Sequence, residues 1–236
     1  MTPVIERAGL DSVMIRLFDT IDVSNMDMLL SVVDTLKAEL GEALIDVTPS
    51  YTTVLLHYDV YRMDEAAVRG VIQQVLRQPV YGLSGNEART HVLPVWYDSS
   101  VGPELDLLAH RFDGDFQEVI TRHQQMAYRV FALGFAPGFG FMGVVDEQLE
   151  IPRLATPRKR VPKGSIGIAG RQTAAYPADL PGGWNIIGRT PVALFDRTRE
   201  GYTLYRTGDV VRFEAVSRQT FLDLGGDATP FAGGDA

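Results

Sequence analysis

Nine side chains suited to binding anions and planar amides fall in one stretch of the chain: Arg153, Arg158, Lys159, Arg160, Lys163, Arg171, Gln172, Thr173 and Arg189. A guanidinium group grips carboxylate or phosphate through a fixed fork of donors, which an ammonium cannot match. Gln172 and Thr173 add a neutral amide and a hydroxyl, suited to the edge of a lactam, urea or carboxamide. The backbone beneath them is stiff. Residues 134–188 hold ten of the 23 glycines and six of the 13 prolines. Pro152, Pro157 and Pro162 bracket Arg153, Arg158 and Arg160, so little ordering entropy is lost on binding. Phe135, Phe139, Phe141, Tyr176, Trp184, Ile186 and Ile187 are interleaved at a density that no disordered linker carries. This composition predicts a rigid small-molecule or subunit-docking surface, and it also suits a loop-rich β-domain whose turns need glycine.

Other chemistries fit less well. Gly138-Phe139-Gly140-Phe141-Met142-Gly143 spells G-x-G-x-x-G. A dinucleotide site would also need a helix opening inside the motif and an acid about 20 residues on. Here aromatics fill the variable positions, Pro152 follows, and the later segment is basic, so a turn with aromatic plugs is expected. Neither a P-loop nor a G-x-S-x-G elbow is present. His57, His91, His110 and His123 lie far apart, without partners at metal-ligand spacing, so no metal site is expected. His123 stands out, at a helix end just before the strand that leads to Phe135–Gly143. There it can be a proton donor or acceptor, or simply a C-terminal cap.

Bulk properties narrow the class. The 236 residues suit two domains and can bury about 70% of the unfolded surface. A net charge of −8 argues against a nucleic-acid partner, since Arg153–Lys163 is the one strongly basic segment. Zero cysteines exclude disulfides and thiolate chemistry, and fit a reducing compartment. With neither an apolar run near the length of a span nor an export signal at the N-terminus, a soluble, cytoplasmic protein without membrane contact is expected.

The chain changes grammar part-way. Val13, Ile15 and Leu17 alternate as a strand, and Ser24 with Asp27 reads as a capping pair. Leu29, Val33, Leu36 and Leu40 then mark a helix closed by Gly41. Strands at Ile45–Val47 and Thr52–Tyr58 follow, then a helix capped by Asp64, a polar loop (84–90) and a strand Val92–Tyr97. The order β-α-β-β-α-β predicts a ferredoxin-like α+β domain over residues 1–90. Two short helices come next, one opened by Gly102-Pro103 and one capped by Asp115. Short strands then recur at Tyr128–Phe135, Ser165–Ala169, Asn185–Ile187, Val192–Phe195, Tyr202–Tyr205 and Val210–Ala215. They predict a closed or nearly closed β-barrel over residues 91–224, with residues 225–236 as a flexible tail.

Three blocks then carry a resemblance: FALGFAPGFGFMG, LEIPRLATPRKRVPKGSIGIAGRQTAAYP and LPGGWNIIGRTPVALFD. They resemble the signature blocks of the PxpB/KipI family, also known as allophanate hydrolase subunit 1 and similar to part of the urea carboxylase carboxyltransferase domain. The likeness extends through Tyr51–Asp59 and His123–Tyr128. Gly140-Phe141-Met142 replaces the usual Pro-Tyr-Leu, and Ala174-Ala175 the common Gly-Ile.

The resemblance implies an N-terminal α+β domain and a cyclophilin-like barrel. It also implies PxpC/KipA-type and PxpA-type partner subunits, forming a 5-oxoprolinase that uses ATP (with Mg) to open pyroglutamate to glutamate. No cofactor is expected on this chain alone. Under that reading Arg153, Arg158 and Arg189 would bind carboxylate or phosphate, and Gln172 and Thr173 would address the lactam. Tyr176 would join them at the substrate, Phe139 and Trp184 would wall the site, and His123 would transfer a proton. The family also contains inhibitors of a histidine kinase and relatives of biotin-dependent urea or amide carboxyltransferases, so those functions stand beside the first.

Overall fold

The computed structural model describes residues 3–77 and 88–231, in two compact units that divide between Ala88 and Arg89. The predicted loop at 84–90, up to residue 87, and residues 232–236 of the predicted tail lie outside the described residues. No helix among the described residues is long and apolar enough to cross a membrane.

The first unit runs β1 (Val4–Arg7), β2 (Ser12–Arg16), α1 (Asn25–Leu40), β3 (Leu44–Pro49), β4 (Thr53–Tyr58) and α2 (Glu65–Arg77). Alternation puts Val13 and Ile15 of β2, with Val54, Leu56 and Tyr58 of β4, on one buried face. Leu29, Val33 and Leu36 of α1 and Val68, Ile72 and Val75 of α2 cover that face and complete the core. Asp64 caps α2 by accepting the Ala67 N–H at 2.8 Å. The predicted cap Ser24 makes no side-chain cap bond; its own N–H and hydroxyl donate to Asp22.

The sheet is antiparallel, in the order β1-β2-β4-β3. This departs from the ferredoxin-like arrangement predicted from the strand count. The expected fourth strand leaves for the second unit, and β1 fills the place beside β2.

The second unit begins with β5 (Thr90–Val95), α3 (Leu105–Ala109) and α4 (Phe116–Gln125). It continues through β6 (Tyr128–Leu133), β7 (Gly140–Gly143), β8 (Arg158–Val161), β9 (Ser165–Ala169) and β10 (Gln172–Ala175). It ends with β11 (Leu180–Gly182), β12 (Asn185–Arg189), β13 (Val210–Ala215) and α5 (Arg218–Asp223). Seven strands pair in the order β12-β9-β10-β7-β6-β13-β5. Just past β5, Trp96 exchanges both backbone hydrogen bonds with Arg189 of β12, each at 2.9 Å, bringing the two edges together. The sheet is a nearly closed barrel, consistent with a cyclophilin-like fold. Leu93, Tyr128, Val130, Ile166, Ile168 and Phe213 are among the residues that fill it. Gly102 lets the start of α3 lie on β12, since a Cβ there would come within 2.3 Å of the Ile187 carbonyl carbon.

Several segments differ from expectation. The aromatic turn at 138–143 is in part β7, and the basic stretch expected as a loop contributes β8, which pairs with β11. Val192–Phe195 and Tyr202–Tyr205 form no strands, and only a bridge joins Phe195 to Thr203. The described part of the predicted tail is docked rather than free. The Phe231 N–H donates to the Ser100 carbonyl at 2.6 Å, and the carbonyls of Asp227 and Thr229 accept from Arg189.

Candidate functional site

Strand alternation in β9 and β10 sorts the polar residues. Ile166, Ile168, Thr173 and Ala175 point into the barrel, and Ala169 and Ala174 join an aromatic cluster on the opposite face. Gln172 and Thr173 are neighbours on β10 and so face opposite ways. Gln172, opposite Ala169, belongs to the outer face.

Phe139 is the hub of that face. It meets the rings of Phe135, Phe141, Tyr176 and Trp184 edge-on, at centroid distances of 5.2, 4.9, 5.3 and 5.7 Å. Phe135 is 60% exposed and has φ of 69°. The Ala136 N–H donates to the Gly134 carbonyl at 2.8 Å, so Phe135 stands at the centre of a three-residue turn of the rare, strained hand. The chain holds a large side chain out to solvent at a backbone cost.

The arginines do different jobs. Arg153 is exposed, with its guanidinium 5.8 Å from the Trp184 ring. Its loop is pinned by buried Asn185, whose amide donates to the Pro152 and Ile168 carbonyls at 2.9 and 3.1 Å. Arg158 is not free for a ligand. It pairs with Glu104, donates to the Trp184 carbonyl at 3.3 Å, and lies 5.1 Å from the Phe231 ring. The second carboxylate oxygen of Glu104 accepts the Ile186 N–H at 2.7 Å, so this acid ties Arg158 to β12. Arg160 is held by Asp179, which also accepts the Lys163 N–H. Lys159 and Arg171 are exposed. Tyr176 is buried in the cluster, and burial pushes its hydroxyl up to about 12 against the pull of Arg153 and Arg158.

His123 and Thr173 are placed otherwise than predicted. His123 is wholly enclosed in the barrel, stacked 4.6 Å from the Phe213 ring. Its Nδ1 lies 2.8 Å from the Tyr97 hydroxyl and its Nε2 3.0 Å from Thr173 Oγ1. Thr173 gives its single hydroxyl hydrogen to the Gly167 carbonyl at 3.1 Å, so Nε2 must donate to Thr173 and Tyr97 must donate to Nδ1. Every group is satisfied with the ring neutral. Burial lowers the His123 pKa to about 3. A proton-transfer group facing substrate, and a hydroxyl addressing the lactam, do not fit this arrangement; both belong to the core.

Arg189 is 2% exposed, and its Nη1 donates to the Asp227 and Thr229 carbonyls at 2.8 and 2.9 Å. Burial lowers its pKa. The structure therefore groups Phe139, Arg153, Gln172, Tyr176 and Trp184 on one face, with Arg158 and Arg189 beneath it in internal contacts. Glu104 and Asn185 position this face, and sequence reading missed them. No local pattern links Glu104 to a partner 54 positions away. Among the described residues, no three His, Asp or Glu side chains converge as a metal site.

Comparison with known proteins places this arrangement. The carboxyltransferase domain family, subdomain C and D, matches residues 3–205. This chain belongs to that family. It is 32% identical over 227 residues to the B-type subunit of the 5-oxoprolinase of Bacillus subtilis (strain 168), covering 92% of this chain and 94% of that one. The crystal structure of TTHA0988 superposes with a TM-score of 0.75 at 33% identity over 87% of this chain. The chain spans only 40% of that protein's length. The urea amidolyase of K. lactis shares the fold at 16% identity, with a TM-score of 0.76 over 94% of this chain and 15% of its own. The resemblance read from the three signature blocks is borne out.

Proposed function

We propose that this chain is the B-type subunit of an ATP-dependent 5-oxoprolinase, helping to convert 5-oxo-L-proline to L-glutamate together with PxpC/KipA-type and PxpA-type subunits. The near full-length match to a protein named as that subunit carries the reading. The outer face suits such a substrate. Phe139 and Trp184 are buried and back this face. A flat five-membered lactam would meet its accessible groups: Phe135 and Phe141 as apolar contacts, the half-buried Gln172 amide as a hydrogen-bonding partner, and Arg153 on Trp184 offering positive charge to an anion. The chain's own residues do not fit Mg–ATP: the phosphate-cradling loop is missing from the sequence, and no acidic metal cluster converges among the described residues. On this reading nucleotide chemistry belongs to the assembled complex, and the isolated chain is expected to show no ATPase activity.

The test is glutamate formation and ATP hydrolysis by co-purified subunits supplied with 5-oxoproline. Arg153→Ala and Gln172→Ala should each cut turnover at least tenfold, with melting temperatures unchanged because both side chains reach solvent. A complex that forms but makes no glutamate from 5-oxoproline rules the substrate out.

A further inference from the structure

Arg189 carries a full charge into the interior and forms no direct ion pair there; the carboxylates of Asp227 and Asp179 attract it only from beyond contact distance. Its Nη1 is taken by two neutral carbonyls, while Nε and Nη2 have no partner. That Nε/Nη2 edge is the side of a guanidinium that holds a carboxylate through two parallel hydrogen bonds. Directly across the ladder stands Ser165, paired with Arg189 in the β9–β12 register, and its hydroxyl is also buried and unpartnered. Tyr176 continues the row, since its N–H donates to the Ser165 carbonyl and its own carbonyl accepts from Gly164. Cross-strand neighbours lie about 5 Å apart at Cβ. Arg189, Ser165 and Tyr176 thus form one polar row leading from the aromatic cluster to an unsatisfied guanidinium edge.

We propose that Arg189 Nε/Nη2 and Ser165 Oγ form the carboxylate subsite of this face, and that residues 227–231 strap it shut. Buried donors left without hydrogen-bond partners, as the Nε/Nη2 edge and the Ser165 hydroxyl are, are costly, and most buried polar groups in folded proteins are paired. A ligand carboxylate supplies what both lack: two acceptor lone pairs for the arginine fork and a third for the serine hydroxyl. The strap lies on the guanidinium itself, through the carbonyls of Asp227 and Thr229, and is anchored by Phe231 on Arg158 and on the Ser100 carbonyl. Its carbonyls hold part of the guanidinium as a substrate's oxygens would, and it must lift for a ligand to enter. Arg158, already neutralised by Glu104, is then an anchor for the strap rather than the carboxylate's partner.

The proposal rests on the outer face being the substrate site, and its test is separable from turnover. The full chain is titrated with 5-oxoproline, with acetate, and with neutral 2-pyrrolidinone. Affinity is read by calorimetry, and the Arg189 Nε–H resonance, assigned through Arg189→Lys, is followed by NMR. Expected are saturable binding of the carboxylates, no binding of pyrrolidinone, and a shifted Nε–H signal. Ser165→Ala should weaken carboxylate binding by about tenfold, the worth of a hydrogen bond to a charged group. It should leave the melting temperature equal or higher, because the hydroxyl removed has no partner to lose. Phe231→Ala, which loosens the strap, should strengthen binding several-fold. An Nε–H signal unmoved by either carboxylate, or equal affinity in Ser165→Ala, overturns the subsite. Acetate binding at Arg189 without 5-oxoproline binding keeps the subsite and sinks the proposed substrate.

Discussion

Thr173 Oγ1 lies 3.0 Å from His123 Nε2 and spends its only hydrogen on the Gly167 carbonyl, so the histidine is held as the neutral Nε2–H tautomer. That has a consequence for stability against pH. The folded pKa is about 3, against an ordinary value of 6.5, so between those values the unfolded chain binds a proton that the folded chain refuses. Stability therefore rises with pH across that window, is fully present above about pH 7, and is lost as pH falls. The slope from this one group reaches about 1.4 kcal/mol per pH unit. Urea melts of wild type and His123→Gln from pH 4 to 8 should differ in slope by one proton below pH 6.5. Parallel curves would mean that His123 charges freely in the folded state.

Arg158 and Glu104 make a second stability prediction. Arg158→Ala leaves a carboxylate that is 8% exposed without its cation. We expect a loss of about 3 kcal/mol, in the range for breaking a buried pair from one side. The double change Arg158→Met with Glu104→Gln should cost clearly less, since no lone charge remains. Chemical denaturation of the three variants gives the cycle, and equal costs would show the pair to be uncoupled.

Two glycines with opposite surroundings offer a matched comparison. A Cβ on Gly182 would lie 2.2 Å from the Tyr176 hydroxyl, whereas one on Gly70, inside α2, meets nothing within 4 Å. Gly70→Ala should stabilise by roughly 0.5–1 kcal/mol through helix propensity. Gly182→Ala should destabilise and displace Tyr176, lowering turnover by the complex. Thermal melts with the activity assay distinguish them, and a neutral Gly182→Ala would place the Tyr176 hydroxyl elsewhere.

Phe135, more exposed than Phe141, is the aromatic best placed to meet another subunit. Phe135→Gly removes the ring and relieves a backbone at φ of 69°. The variant should melt at or above the wild-type temperature yet weaken association with a PxpC/KipA-type partner by about tenfold or more. Size-exclusion chromatography of the co-expressed pair reads this directly. Full co-elution at low concentration would leave Phe135 outside the interface.

Whatever depends on neighbours in the chain was legible from the residues alone. Alternation marked β2, short β-like runs between turn signals marked β4, β9 and β13, Asp64 and Asp115 announced their helices, and three dense blocks announced the family. These signals are local, because period and capping involve residues within a turn or two of each other. Tertiary structure decided the rest. Whether the strand at 90–95 completed the first sheet or the barrel depended on β13, more than a hundred residues away. His123 looked like a reagent until the barrel closed around it, and Arg158 looked free until Glu104 was folded against it. Arg189 could be read as an anion binder, but its unpaired edge, its Ser165 neighbour and its strap exist only once β9, β12 and residues 227–231 meet. Charge and residue type are written in the chain, but burial and pairing are properties of the packed whole, and they determine which of these groups remains available for chemistry.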